Sequence, residues 1–361
     1  PGSVLLVAGT PGSGHTALAL ALAGRMRPDH GTVTLLEAED VLGYHASSRS
    51  AAIFIPTYGA PSVKALSLAS ARDLHDTGLT SPRGVMAVGR AGEEEKLAHV
   101  AADLSLSPIP VADALSFVPI LDPAVITCAA HREEAWDIDT DALLQLYAKR
   151  VRANGQVVTR APVTAIRRGD GWEVEAGEVT YRARTLVNAA GPWADRVAEL
   201  AGLAPIGIRP LRRSMARIDV PGGTDARDWP MLIGANEDWY AKPDAGALIV
   251  SPSEEDPSDP MDAWADDMVL AEGLMRFEEH ITGEVTRMLA NWAGLRTFSP
   301  DRQLVIGADP AAPDFYWMAG QGGYGFQTAP AAGRLLAALV AGTTPEVPPD
   351  IVGACDPARF R

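Results

Sequence analysis

Two short stretches late in the chain carry the residue types best suited to chemistry. Arg296 sits in a strand-like apolar run, Asn291-Trp-Ala-Gly-Leu-Arg-Thr-Phe298, and Gln321-Gly-Gly-Tyr-Gly-Phe-Gln327 follows it. A guanidinium in apolar surroundings is costly unless an anion or another acceptor meets it. Gly322, Gly323 and Gly325 leave the backbone bare, so something flat and bulky can come close. A cationic clamp for a carboxylate beside a face for a planar ring outlines flavin-borne oxidation of an amino acid. The same residues also suit an arginine paired with an aspartate ahead of an ordinary glycine turn, and the surrounding elements must decide.

The opening of the chain reads strand, turn, helix, strand: Val4 to Ala8, Gly9-Thr-Pro-Gly-Ser-Gly14, a helix over 16–26, then Thr32 to Leu36. Leucine and alanine alternate from Ala17 to Ala23, but both are strong helix formers and the turn offers a start. Such a unit closing on an acid, Glu37, is the dinucleotide-binding pattern. Three readings of the turn stay open. As a phosphate loop it has Gly9, Gly14 and Thr16, but His15 replaces the lysine that would neutralise terminal phosphates. As a dinucleotide turn it starts either at Gly9, which puts Pro11 where a glycine is wanted, or at Gly12, giving Gly12, Gly14 and Ala17. In both registers the helix amides face a pyrophosphate and Glu37 accepts from the adenosine ribose. The third reading is a tight strand-to-helix turn without a ligand.

Further along, Tyr44 to Pro82 is polar and proline-rich, and Val85 to Val88 reads as a short strand. Asp139-Thr-Asp-Ala142 caps a helix reaching about Asn154. Short alternating strands follow at Gln156, Val163, Trp172 and Thr180, then a buried strand over 185–190 that Gly191-Pro192 ends ahead of a helix containing Trp193. Ile206 to Val250 is strand-rich and Pro260 to Glu284 mainly helical. Phe315 to Ala319 is a strand feeding the glycine run and a helix from Gln327 to Val340. This pattern predicts an α/β (α+β) fold, a Rossmann-like nucleotide-binding domain interleaved with an antiparallel-sheet domain.

At 361 residues the chain exceeds one ordinary core, so about two domains are expected. A net charge of −15 opposes binding to nucleic acid or anionic membrane surfaces. Cys128 and Cys355 lack metal or redox spacing, which points to a reducing, cytoplasmic compartment. No metal site is expected from the scattered histidines, and no apolar run is long enough to span a bilayer.

The ordered series Leu36-Glu-Ala-Glu-Asp40, Gly43 to Ala52, Tyr58-Gly59, Asp137 to Leu143, Val187-Asn-Ala-Ala-Gly-Pro-Trp193, Gly294 to Phe298 and Gln321 to Thr328 is more specific. It resembles the FAD-dependent D-amino-acid oxidase superfamily, and within it D-arginine dehydrogenase and related D-amino-acid dehydrogenases. The resemblance implies an FAD-binding domain over 1–80, 139–207 and 293–361, and a substrate domain over 81–138 and 208–292. It places Arg49 and Ser50 along the cofactor, Val163 at the adenine, Ala190 and Gly191 close by, and Gly322, Gly323 and Gly325 against the flavin pyrimidine. Ser48 stands where the family usually has glycine. Arg296 would bind the substrate carboxylate with help from Tyr240 and, more weakly, Arg213; the Gly323 carbonyl would hold the amine. Gln327 would sit near the flavin and Tyr58 would act as a lid.

Non-covalent FAD is expected, because neither cysteine falls in the glycine turn, with His45 open as an attachment point. Ile53, Ile55 and Val85 are expected in the pocket, which favours apolar or neutral D-amino acids over D-arginine. Glycine, sarcosine or proline oxidation is the alternative within the superfamily; outside it stand a flavin-free binding protein and a P-loop nucleotidase. The electron acceptor is unknown, and oxidase and dehydrogenase are equally open.

Overall fold

The computed structural model describes residues 4–7 and 32–361. The turn glycines Gly9, Gly12 and Gly14 and the helix expected over 16–26 lie outside the described residues.

One sheet is parallel in the order Ala312–Ala319, Thr185–Asn188, Val4–Val7, Val33–Leu36 and Gly155–Val158, with Val305–Asp309 as an antiparallel edge. Its strands read as continuous apolar runs because both faces are buried, successive side chains going to opposite cores. Leu35, Val187, Ile306 and Met318 enter one core, with the helices Pro61–Asp76, Thr140–Asn154 and Gly325–Ala341. Leu36, Leu186, Val305 and Trp317 enter the other, with the antiparallel strands Val163–Arg168, Trp172–Ala176 and Val179–Ala183 and the helix Ala194–Leu200. Val7 lies level with Leu36 and with Asn188. Glu37 and Ala190-Gly191 therefore leave the sheet at the same C-terminal edge, on either side of the Val4–Val7 strand, the place where doubly wound sheets take ligands. Trp193 falls in the 3-10 turn Gly191–Trp193 rather than in the helix that follows.

The Asp139 carboxylate caps its helix by accepting from the Ala142 amide at 2.9 Å, as the sequence predicts. The helix Pro61–Asp76, by contrast, falls in the stretch that reads as polar and irregular. Its buried face includes Ser62, Ser67 and Ser70, small polar residues that hide the apolar stripe and let the Gly325–Ala341 helix pack closely. Pro330 interrupts that second helix and removes a backbone donor. Ser70 bonds the backbone on either side of this proline: its hydroxyl donates to the Thr328 carbonyl at 3.3 Å and accepts from the Ala331 amide at 3.0 Å.

A nine-stranded sheet forms the second body, built largely from antiparallel pairs. Its longest ladder joins Arg209–Ile218 to Met288–Phe298, setting Leu211 opposite Arg296 and Arg213 opposite Gly294. Side chains alternate across a strand, so Arg213 and Arg296 emerge on one face as diagonal neighbours. Tyr240 opens the strand Tyr240–Asp244 and shares that face, its hydroxyl lying 3.4 Å from the Met215 sulfur. Among the described residues no helix is long and apolar enough to cross a membrane.

Candidate active site

A cavity of about 550 Å³ gathers most of the residues singled out from the sequence. Arg49, Ser50, Tyr58, Arg213, Tyr240, Arg296, Gly322, Gly323, Gly325 and Gln327 all line it. Arg296 is 16% exposed and Arg213 13%, so neither is a solvated surface charge. Burial lowers the Arg213 pKa, and the neighbouring Arg296 charge adds to the effect. Burial also works against the Arg296 charge, but the surrounding oxygens of Tyr58, Tyr324, Tyr240 and Glu255 offset it and the net direction is upward. Both guanidiniums stay protonated at any ordinary pH.

The glycine run has a second use that the sequence did not suggest. A Cβ on Gly323 would lie 2.3 Å from the Arg296 Nη2, and one on Gly322 would lie 2.4 Å from the Phe298 ring. The flat groups admitted by these two bare positions are thus the protein's own guanidinium and phenyl ring. Gly322 also has a φ of +52°, and its amide donates to the Thr297 carbonyl at 2.7 Å, locking the run onto the strand that carries Arg296.

Unspent hydrogen-bonding capacity marks the inner end of the cavity. The helix Gly325–Ala341 starts there with no side-chain cap and no acid in its first turn, leaving a positive amide end toward the space lined by Gly325 and Phe326. Gln327 is buried; its Oε1 accepts from the Ile55 amide at 3.3 Å, and its Nε2 has no partner. Gln321 is fully buried with both amide atoms unpartnered. The orphaned Gln327 amide at an uncapped helix start fits the carbonyl and ring nitrogens of a flavin pyrimidine, whereas Gln321 does not line the cavity. Glu37, buried at the sheet edge, and Val163, Ala190 and Gly191 are placed outside this cavity, where the adenosine half of a dinucleotide would extend.

Several expectations need correction or addition. Val85 does not line the cavity: it is fully buried in the core beneath the sheet, whereas Ile53 and Ile55 do line it, with Met215, Met231 and Ile233. Arg49 spends its hydrogen bonds within the protein, donating to the carbonyls of Ala263 and Ala293 at 2.8 Å and to Asp262 at 2.6 Å. The Ser48 hydroxyl is exposed and donates to the carbonyls of Tyr44 and His45, so no tight packing is lost there. His45 is buried with Nε2 2.9 Å from Glu39 and Nδ1 3.7 Å from Asp262. Burial holds its pKa below the usual histidine value. Glu255, Arg302 and Tyr324 carry weight that sequence reasoning missed. The Glu254-Glu255-Asp256 run reads as a solvated acidic stretch, and its convergence on two arginines exists only once the ladder is paired.

A model of the family described as FAD dependent oxidoreductase matches residues 12–339. The chain is 27% identical over 171 residues to FAD-dependent oxidoreductase domain-containing protein 1 of Xenopus laevis, covering 43% of this chain and 34% of that one. It is 26% identical over 264 residues to the mitochondrial dimethylglycine dehydrogenase of Homo sapiens, covering 67% of this chain and 30% of that one. It thus spans about a third of the length of these curated relatives. L-proline dehydrogenase from P. horikoshii shares the fold, with a TM-score of 0.81 at 20% identity over 99% of this chain and 97% of that one.

Two predictions follow from this geometry. Gly323 has no left-handed φ, so Gly323→Ala tests contact rather than backbone strain. The new methyl displaces a flexible guanidinium; thermal stability should change little while carboxylate-ligand affinity drops at least about tenfold, or 1.4 kcal/mol. Calorimetry with benzoate reads this, and unchanged affinity would remove the contact from the site. Burial, with Tyr58 beside it, pushes the Tyr324 phenol up to about 12 from 10.0. The folded state therefore favours the protonated phenol; its contribution is complete below pH 10.0 and is lost as pH rises through about 12. In an alkaline absorbance titration Tyr324→Phe should delete a late tyrosinate step, and loss of a step near 10 instead would contradict the burial argument.

Proposed function

We propose that this chain, which belongs to the family of FAD-dependent oxidoreductases, oxidises the Cα–N bond of a small α-amino acid whose carboxylate rests on Arg296. The carrying observation is a buried guanidinium in a cavity beside an uncapped helix start and the orphaned Gln327 amide. Gln327 and the amides of Gly325 and Phe326 would hold the flavin ring, and Glu37 the adenosine ribose. Bound FAD supplies the oxidising power by accepting a hydride from Cα.

The protein's own residues supply position and charge. Arg296 grips the carboxylate in a fork that lysine could not offer, and Arg213, diagonal to it, adds a second donor. The Tyr240 hydroxyl now meets a thioether, a weak acceptor, so exchanging it for a carboxylate oxygen is favourable. The Gly323 carbonyl takes the amine, and two nearby guanidiniums disfavour the ammonium form, easing loss of its proton. Pinning both polar groups fixes which Cα substituent faces the ring. Water then hydrolyses the imino acid to a 2-oxo acid and ammonia.

Ile53, Ile55, Met231 and Ile233 support an apolar or neutral side chain. A guanidinium or ammonium set against them would lose its hydrogen bonds and its hydration, a larger penalty than the roughly 2–7 kcal/mol of burying a neutral polar group unpaired. Of the cavity's acids, Glu255 already faces arginines and Glu237 is exposed at a hairpin turn. The resemblance in motif order supports the D configuration. A second reading, oxidation of an N-alkylated amino acid, is favoured by the names of the dimethylglycine and proline dehydrogenases among its relatives.

Anaerobic addition of neutral D-amino acids should bleach the visible flavin spectrum, with D-arginine and D-lysine among the poorest reductants. Arg296→Ala should raise the apparent KM and lower the reduction rate by about 10–100-fold, the loss expected for a charge-assisted hydrogen-bond pair. Best reduction by a basic amino acid would refute the side-chain reading. Unaltered kinetics in the variant would remove Arg296 from its role.

A further inference from the structure

We infer that Glu255 is the resting counter-ion of the arginine pair, an internal carboxylate that the substrate's carboxylate must displace from Arg296. This rests on the reading of Arg296 as the carboxylate site and adds an affinity-setting residue to it.

The observation is a convergence of three cations on one acid. Glu255 Oε1 lies 3.4 Å from Arg296 Nη1 and 3.6 Å from Arg213 Nη2, while Arg302 Nη2 holds both carboxylate oxygens at 2.9 Å. The inner contacts are long and the outer ones short, as expected of a group anchored outside and leaning inward. Arg302 is 51% exposed and lies over the Phe298 ring, 3.9 Å from its centroid, so the anchor stands at the cavity's rim. Ser253 and Arg302 adopt left-handed φ values of +56° and +61°, sharp local bends next to the acid and at its anchor.

The main chain beside Glu255 is clamped to the Arg213 strand. Arg213 Nε donates to the Glu254 carbonyl at 2.8 Å, and the Ser214 amide donates to Glu254 Oε1 at 2.6 Å. Any movement of Glu255 is thus confined to its side chain, which swings about its Arg302 anchor. Charge counting gives the consequence. Asp262 serves Arg49 and the buried Glu254 carboxylate acts on Arg213, leaving Glu255 as the carboxylate that faces Arg296, and Arg302 holds it more closely. A buried cation with half a partner is unstable, and an incoming carboxylate completes the set. Glu255 keeps the empty site from binding any small anion indiscriminately, and it lowers affinity for the intended one by competing for the same donors.

The test is calorimetric titration of the purified flavoprotein with benzoate, a carboxylate lacking an amine. Glu255→Gln is near-isosteric at a residue one-third exposed, and should lower the benzoate Kd at least fivefold. Arg302→Gln releases Glu255 onto the inner pair and should raise the Kd at least threefold. In the double variant the Arg302 effect should shrink below twofold, because the competitor it restrains is gone. A merely structural role would weaken binding in both single variants. An Arg302 effect of equal size in both backgrounds, or no tightening in Glu255→Gln, overturns the inference while leaving Arg296 in place. Failure of the unaltered protein to bind benzoate overturns both this and the carboxylate-site reading.

Discussion

Arg213 and Arg296 are brought to one face of the long ladder by its register, which sets Arg213 opposite Gly294 and Leu211 opposite Arg296. Two like charges so placed cost several kcal/mol each to desolvate, and Arg296 has no carboxylate of its own, sharing Glu255 with Arg213 and Arg302. The rest of the site can be read as the response to that cost. Glu255 leans in, Tyr240 turns its ring toward Arg213, and Gly323 gives up a side chain to leave the Arg296 guanidinium room. A fold that tolerates such an imbalance between two sheets stores affinity for an anion in the right place.

The second constraint lies where the Ala312–Ala319 strand turns into the Gly325–Ala341 helix. That turn carries the bare glycines, the orphaned Gln321 amide and the uncapped helix start, all within a few residues of the arginine strand through the Thr297 to Gly322 bridge. One short segment therefore couples a positive helix end, suited to an electron-rich ring, to the cationic clamp. Their mutual distance is fixed by backbone hydrogen bonds rather than by side-chain choice, which is what a hydride transfer between held partners requires.

Much of this was legible in sequence where the signal is local. The Asp139 cap, the apolar strand over 185–188 and the final strand and helix appear where turn chemistry and periodicity put them. Arg296 stands out because its apolar run is contiguous and the glycine run follows close behind, whereas Tyr240 enters through the family resemblance. The Pro61–Asp76 helix was not legible, because its packing face uses serines whose partners, such as the Ala331 amide, lie 261 positions away in sequence. Glu255 was hidden for the same kind of reason: an acid in an acidic run looks solvated until strand pairing delivers three arginines to it. The glycines of the 321–327 run were recognised as a place of close approach, yet two of them serve Phe298 and Arg296 within the chain itself.

The most direct test of the account is a crystal structure of the flavin-loaded protein with a non-reactive carboxylate bound. The account predicts a carboxylate within hydrogen-bond distance of Arg296 and Arg213, facing the ring, with Glu255 drawn back onto Arg302. A carboxylate seated elsewhere, with Arg296 still turned to Glu255, would contradict it.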